Sequence, residues 1–110
     1  MSIRQEKIQS LLKKELALIF QKESGSLFMN KFITVTHVRV TPDLANAKVF
    51  LSIMMSKDTK ADLKMIDQHN WKVRKLLGEK VRNTMRIIPE LTFKIDDSMD
   101  IAAEIDKLLK

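Results

Sequence analysis

The feature that most constrains this chain is a continuous helical pattern from residue 59 to residue 88. At 1.5 Å per residue, a straight helix of that length would measure about 45 Å. A single domain of 110 residues does not comfortably hold such a helix. The segment should therefore bend, and its weakest helix formers are His69, Asn70 and Trp71. We predict the bend at these three residues.

Apolar periodicity predicts the elements that precede this segment. Residues 3–20 form an amphipathic helix whose apolar side chains recur at intervals of three and four: Ile8, Leu11, Leu12, Leu16, Ile19 and Phe20. The helix should stop near Gly25. Residues 32–40 and 47–55 are predicted as two adjacent strands of a hairpin, joined by the turn segment TPDLAN.

After the bent helix, Pro89 marks the exit into a third strand with Leu91, Phe93 and Ile95 on one face. A short helix is predicted from about Ser98, with Asp97 or Ser98 as its cap. The order α-β-β-α-bend-α-β-α contains no internal repeat or low-complexity tract. It predicts one α+β domain over residues 1–110.

The charge of the chain is unevenly distributed. The net charge is +6, and residues 72–86 alone hold six basic side chains and one acidic side chain. No apolar run is long enough to span a bilayer, the N-terminus is charged, and there is no cysteine. We therefore expect a soluble, cytosolic protein with a local positive field that favours polyanions.

A helical wheel separates the side chains of the basic segment into two faces. The predicted core face comprises Val73, Leu77, Val81, Thr84 and Ile88. The opposite face is a stripe made of Lys72, Lys75, Glu79, Arg82 and Arg86. Arg74 and Lys80 flank this stripe on either side, and Trp71 lies at its edge.

The stripe has three possible interpretations. A merely solvated face normally mixes both signs of charge, whereas this one is almost entirely positive. A membrane surface would require a wider apolar face and aromatic anchors. Nucleic acid is the favoured partner, and a strand directly after the helix argues against a helix-turn-helix. The sequence shows neither evident stacking aromatics for a sheet face nor a Gly-x-x-Gly loop, since its only glycines are Gly25 and Gly78.

Two longer segments, ITVTHVRVTPDLANAKVFLSI and VRKLLGEKVRNTMRIIPELTFKIDDS, resemble the ribosome-binding factor A family of bacterial small-subunit assembly factors. The resemblance covers most of the chain and is most specific at PELTF. It implies a type II KH-like domain, α-β-β-α-kink-α-β, in which an interrupted helix with an Ala-x-Gly kink replaces the Gly-x-x-Gly loop. Here His69, Asn70 and Trp71 occupy the position of that kink.

The resemblance also implies a function. It implies binding to the small ribosomal subunit and its 16S RNA, assistance in late maturation and 5′ end processing of the precursor, and importance at low temperature. The expected RNA-binding residues are Trp71, Lys72, Arg74, Lys75, Lys80, Arg82 and Arg86. An exposed Trp71 could stack on an unpaired base. A protein-interaction module and a general single-strand RNA binder remain as alternatives.

Other chemistry is disfavoured. His37 and His69 have no partners at ligand spacing, and Asp96, Asp97 and Asp100 are better explained by helix capping than by metal binding. No nucleophile and base pair is evident. We expect a monomer that is not an enzyme and needs no metal or cofactor.

Overall fold

The computed structural model describes residues 3–54 and 56–96. The elements follow in the order α1 (Ile3–Lys22), β1 (Ile33–Val40), β2 (Asn46–Ile53), α2 (Thr59–Gln68), α3 (Asn70–Val81) and β3 (Glu90–Ile95). This order confirms the predicted α-β-β-α-bend-α-β sequence. The helix predicted from Ser98, the caps proposed for it at Asp97 or Ser98, and Asp100 lie outside the described residues.

The three strands form one sheet in the order β1-β2-β3. β1 and β2 are antiparallel, and β2 and β3 are parallel. Parallel neighbours require a long crossover connection, and α2 and α3 provide it. In the hairpin loop, Thr41 Oγ1 and the Ala45 N–H both donate to the Asp43 carboxylate. The hydroxyl bond first, and then the backbone bond, lowers the pKa of Asp43 below its ordinary value.

The core lies between one face of the sheet and the helices. α1 packs against β1 and α3, whereas α2 packs against β3. The predicted inward side chains of α1 are buried, with Leu11 partly buried, and so are Leu91 and Phe93 of β3. Phe20 links the layers, since its ring centroid lies 5.0 Å from that of Phe28 and 5.7 Å from that of Phe93. All three Phe rings are buried.

The long helical segment bends where the sequence predicted and ends earlier than predicted. His69 is both the C-cap of α2 and the N-cap of α3, with φ −103° and ψ 14°. α3 ends at Val81 rather than continuing to Ile88, and Thr84, expected in the core, is exposed while Met85 is buried. The helix stops because the chain must reverse to enter β3 parallel to β2. The Glu90 N–H donates to Ala45 O at 2.9 Å, which fixes that entry.

A β-bulge changes which β1 side chains face the core. The pairing register of β1 with β2 shifts between Val35 and His37, so that Thr36 is the extra residue. The Thr36 hydroxyl donates to Phe50 O at 3.2 Å across the irregularity. After the bulge, Val38 and Val40 point inward.

Phe50 of β2 lies on the sheet face opposite the core, next to His37. Lys48 and Ser52 alternate with the buried Ala47, Val49, Leu51 and Ile53 in the same strand. The inference that this chain offers no aromatic side chain on a sheet face was therefore wrong. The sheet carries such a ring on its central strand.

Candidate nucleic-acid interface

The bend between α2 and α3 is fixed by side chains on both sides. Asn70 Nδ2 donates to Asp67 Oδ1 of α2 at 3.1 Å and to Leu91 O of β3 at 2.8 Å. The His69 ring meets the ring of Phe28 edge to face, with centroids 6.0 Å apart. These contacts tie the bend to β3 and to the loop after α1, so the residue that follows it has a defined position.

That following residue is Trp71, whose side chain is 67% exposed. An indole combines a large aromatic face with a polar N–H, and such side chains are enriched at interfaces. Its face is available for stacking, as the sequence suggested. The structure therefore places an exposed aromatic ring at the start of α3.

The outward face of α3 is defined here as Trp71, Lys72, Lys75, Glu79 and Arg82. Lys75, Glu79 and Arg82 are exposed, and Lys72 is half-buried. Among the described residues the ion pair within 4.0 Å is Lys31 with Asp62, so Glu79 forms no ion pair at that distance with its basic neighbours. The opposite side of the helix, made of Val73, Leu77 and Val81, is fully buried.

Arg74 does not belong to this outward face. Its Nε donates to Pro89 O at 3.1 Å and its Nη2 donates to Ile88 O at 2.8 Å. On the same flank, Ile88 packs beside Gly78, where an added Cβ would lie 3.4 Å from Ile88 Cγ1, an ordinary contact distance. The Arg74 side chain thus holds the connection between α3 and β3, which the sequence did not reveal.

Lys80 and Arg86 are exposed but lie in separate surroundings. Lys80 lines a cavity of about 430 Å³ beside α1, together with Glu15 and Lys22. Arg86 follows the end of α3 and lines a different cavity of about 340 Å³ with Arg4 and Asp43. The straight stripe predicted from Lys72 to Arg86 is therefore interrupted after Arg82, since the helix that would have continued it ends at Val81.

A groove between α2 and β3 adjoins the bend. It has a volume of about 420 Å³ and is lined by Lys60, Leu63, Lys64, Asp67, Leu91, Thr92 and Phe93. Asp67 and Leu91 in its lining accept the two side-chain hydrogen bonds of Asn70, which places the groove beside the bend. The sequence interpretation missed Lys60 and Lys64, although their spacing of four residues on one helix places them side by side.

Two other features that a protein of this size can carry are a metal site and a membrane-spanning helix. Residues 3–54 and 56–96 contain no group of three or more His, Asp and Glu side chains placed to hold a metal ion. No helix within those ranges is long and apolar enough to cross a membrane.

Comparison with known proteins decides the family. The family model described as ribosome-binding factor A matches residues 4–109. This chain belongs to that family. The ribosome-binding factor A of Cytophaga hutchinsonii is 51% identical over 108 residues, which are 98% of this chain and 81% of the relative. The factor of Chlorobaculum tepidum is 43% identical over 114 aligned residues, which cover 100% of this chain and 91% of the relative.

Solved structures of ribosome-binding factor A share the fold. The crystal structure from Thermus thermophilus has a TM-score of 0.69 at 22% identity and covers 83% of this chain and 94% of that one. The Thermotoga maritima solution structure, a putative ribosome-binding factor A, has a TM-score of 0.69 at 20% identity, covering 86% and 88%. A Thermus thermophilus homology model fitted into a cryo-EM map of a 30S complex has a TM-score of 0.64 at 26% identity, covering 81% and 91%. The KH-like fold expected for this chain is confirmed.

Proposed function

We propose that this protein binds the free small ribosomal subunit through its 16S RNA and assists late maturation of that subunit. The proposal includes support of 5′ end processing of the precursor RNA, importance at low temperature, and action as a cytoplasmic, non-enzymatic monomer. Two observations support it: membership of the ribosome-binding factor A family, and a Thermus thermophilus member that has been fitted into a 30S complex.

The observation that carries the proposal is the outward face of α3. Lys72, Lys75 and Arg82 present cationic groups that no carboxylate within the described residues pairs with at 4.0 Å or less. Their mutual repulsion is relieved when an anionic backbone approaches, and counterions released from that backbone add to the affinity. Phosphate contacts of this kind orient a protein on RNA, while the shape of the RNA selects the place.

The candidate RNA-binding residues would make different kinds of contact with the RNA. Trp71 would stack on an unpaired base, and Lys72, Lys75 and Arg82 would contact phosphates. Lys80 and Arg86 would contact the RNA only where it extends past the sides of α3. Arg74 would contribute long-range charge, because two of its nitrogen atoms already donate to the main chain.

The test is sedimentation of the full-length protein with free small subunits, with complete ribosomes and with protein-free RNA, from low to high salt. Substituting Lys75→Gln and Arg82→Gln together should reduce the slope of log affinity against log salt by about 1.5, since each lost phosphate contact removes about 0.7 to 0.9. The charge-matched control is Lys7→Gln with Lys14→Gln, two exposed residues of α1.

Each outcome is informative. Loss of subunit binding in the α3 variant and not in the α1 control supports the proposed site. Equal loss in both variants would indicate a response to net charge alone. Binding to free RNA as strong as binding to subunits would favour a general single-strand binder, and a shallow salt dependence in the unsubstituted protein would favour a protein-interaction module.

A further inference from the structure

The face of the sheet that points away from the core is a second surface with a defined composition. The strand register aligns its side chains in two neighbouring rows. One row crosses the sheet through His37, Phe50 and Lys94. The next row crosses it through Arg39, Lys48 and Thr92. With strands about 4.8 Å apart, each row is about 10 Å wide.

An aromatic pair lies at the centre of this surface. Phe50 is on the central strand, partly exposed, and the ring of His37 meets it edge to face at 6.5 Å with an interplanar angle of 80°. His37 reaches this face only because of the bulge at Thr36, since strict alternation from the buried Val35 would have pointed it inward. The bulge therefore assembles the pair.

The charged side chains within the two rows, Arg39, Lys48 and Lys94, are all basic. Arg39 of β1 lies directly opposite Lys48 of β2, and Lys94 of β3 lies opposite Phe50. Like charges directly opposite each other on antiparallel strands destabilise the pair. The acidic residue that β3 contributes to this face, Glu90, lies at the end of the strand opposite Asn46, outside both rows.

A structural explanation accounts for only part of this pattern. Basic side chains on edge strands discourage pairing with other chains, and that explains Arg39 on β1 and Lys94 on β3. It does not explain Lys48, which is on the central strand and has no free edge to protect. The contact with His37 accounts for part of the stability that Phe50 gives the sheet, but edge protection does not explain an aromatic ring beside these charges.

We propose that this open sheet face binds an unpaired RNA strand of two or three nucleotides, separately from the outward face of α3. A base stacks on Phe50, and Arg39, Lys48 and Lys94 contact the adjoining phosphates. Stacking on a sheet-borne ring is sequence-tolerant because every base has a π-face, and the basic side chains supply the electrostatic part. The proposal adds a second contact to the proposed RNA-binding function and rests on different residues.

The test uses the full-length protein, a short single-stranded RNA of mixed sequence, and fluorescence anisotropy. Phe50→Leu keeps an apolar side chain in the partly buried position and removes the stacking surface. We expect an affinity about 5- to 150-fold lower, which is the range for losing one stacked base. Arg39→Gln with Lys48→Gln should weaken binding and flatten its salt dependence, and should not lower stability, since it removes a repulsion.

Trp71 is the single tryptophan of the chain, and its fluorescence reports binding at α3 independently. In the Phe50→Leu variant, RNA at higher concentration should still quench Trp71. The proposal is overturned if Phe50→Leu binds RNA as the original protein does. An oligoglutamate peptide serves as a competitor. If it displaces the RNA, and if its own affinity falls equally in Phe50→Leu and in the paired Arg39 and Lys48 variant, the occupant is an acidic protein segment and not RNA.

Two controls keep this result separate from the function proposed above. Far-ultraviolet circular dichroism shows whether each variant is folded. If a variant does not fold, Lys94→Gln, at an exposed position on an edge strand, is measured in its place. If the α3 variant fails to bind subunits while Phe50→Leu binds RNA normally, only the sheet proposal fails. If the α3 variant still binds subunits while Phe50→Leu loses affinity for RNA, the sheet proposal stands and the α3 site fails.

Discussion

Replacing Arg74 with alanine distinguishes a structural arginine from an RNA-binding one. Its guanidinium donates to Pro89 O and Ile88 O, so the substitution leaves two carbonyl groups of the α3 to β3 connection without these donors. Hydrogen bonds from a charged group contribute about 1.5 to 3 kcal/mol in general. Because Arg74 is exposed, water can replace part of that, and we expect a loss of about 1 to 2 kcal/mol in the free energy of unfolding.

The assay is urea denaturation at neutral pH followed by circular dichroism, with the m value checked for constancy. A loss of that size should also lower the melting temperature by about 5 to 10 °C. Lys75→Ala, one position further on and exposed, is the control and should change stability by less than about 0.5 kcal/mol.

Arg74→Lys separates charge from geometry. A lysine keeps the positive charge and cannot present the two donors of the guanidinium fork. We expect it to recover at most about half of the lost stability while preserving the electrostatic part of RNA binding. If Arg74→Ala proves as stable as Lys75→Ala, or loses RNA affinity without losing stability, the structural role is refuted.

Three further substitutions test local features of the fold. Asn70→Ala removes the bond to Leu91 O and should cost about 1 kcal/mol in urea denaturation. Gly78→Ala should stabilise α3 by up to about 0.5 to 1 kcal/mol, measured the same way, because the new Cβ meets Ile88 Cγ1 at an ordinary contact distance of 3.4 Å. Asp43→Asn should lower the melting temperature at neutral pH. The difference in melting temperature from the original protein should disappear as the pH falls through the lowered pKa of Asp43, because a carboxylate with a lowered pKa stabilises the fold only while it is ionised.

Each of these substitutions has a result that would contradict the reasoning, and two of them have a matched control. Asn83→Ala, at an exposed position after α3, should leave stability unchanged, and equal effects at both asparagines would contradict the role of Asn70. Destabilisation by Gly78→Ala would mean that the side chain of Ile88 cannot move to accommodate the new Cβ. The control for Asp43→Asn is Glu79→Gln, at an exposed position of α3. If it reproduced the pH dependence of Asp43→Asn, the turn would not be its source.

The elements that the sequence predicted are those governed by local periodicity. The buried side chains of α1 repeat at three and four, and β3 alternates from Leu91 to Ile95, so each pattern contains its own evidence of burial. The bend was predictable because three poor helix formers interrupt a strong pattern. The rigidity of the bend could not be predicted from the sequence, since the hydrogen bond from Asn70 to Leu91 joins residues 21 positions apart.

The end of α3 shows where local reasoning fails. No glycine or proline separates Val81 from Ile88, and apolar residues continue at nearly helical spacing. The chain leaves the helix because Glu90 must bond to Ala45 at the start of the parallel strand. That requirement comes from the sheet. It also moved Arg86 off the predicted stripe.

The main-chain contact of Arg74 was not predicted, for a related reason. On a helical wheel an arginine at the flank of a basic stripe looks like a ligand contact, and the wheel contains no information about what packs beside the helix. The structure places the carbonyls of Ile88 and Pro89 there, and these fix the guanidinium. Only the tertiary path of residues 82–89 distinguishes it from Lys75, whose position on the wheel is equally polar.

The bulge in β1, in contrast, leaves a trace in the sequence. In ITVTHVRV the aliphatic side chains occupy odd positions at Ile33 and Val35, and then even positions at Val38 and Val40. A regular strand cannot bury both pairs on one face, because successive side chains alternate. One extra residue between them reconciles the two phases, and the register shift at Thr36 is that residue. The same shift turns His37 and Arg39 outward, so the pattern that completes the core also builds the basic aromatic face around Phe50.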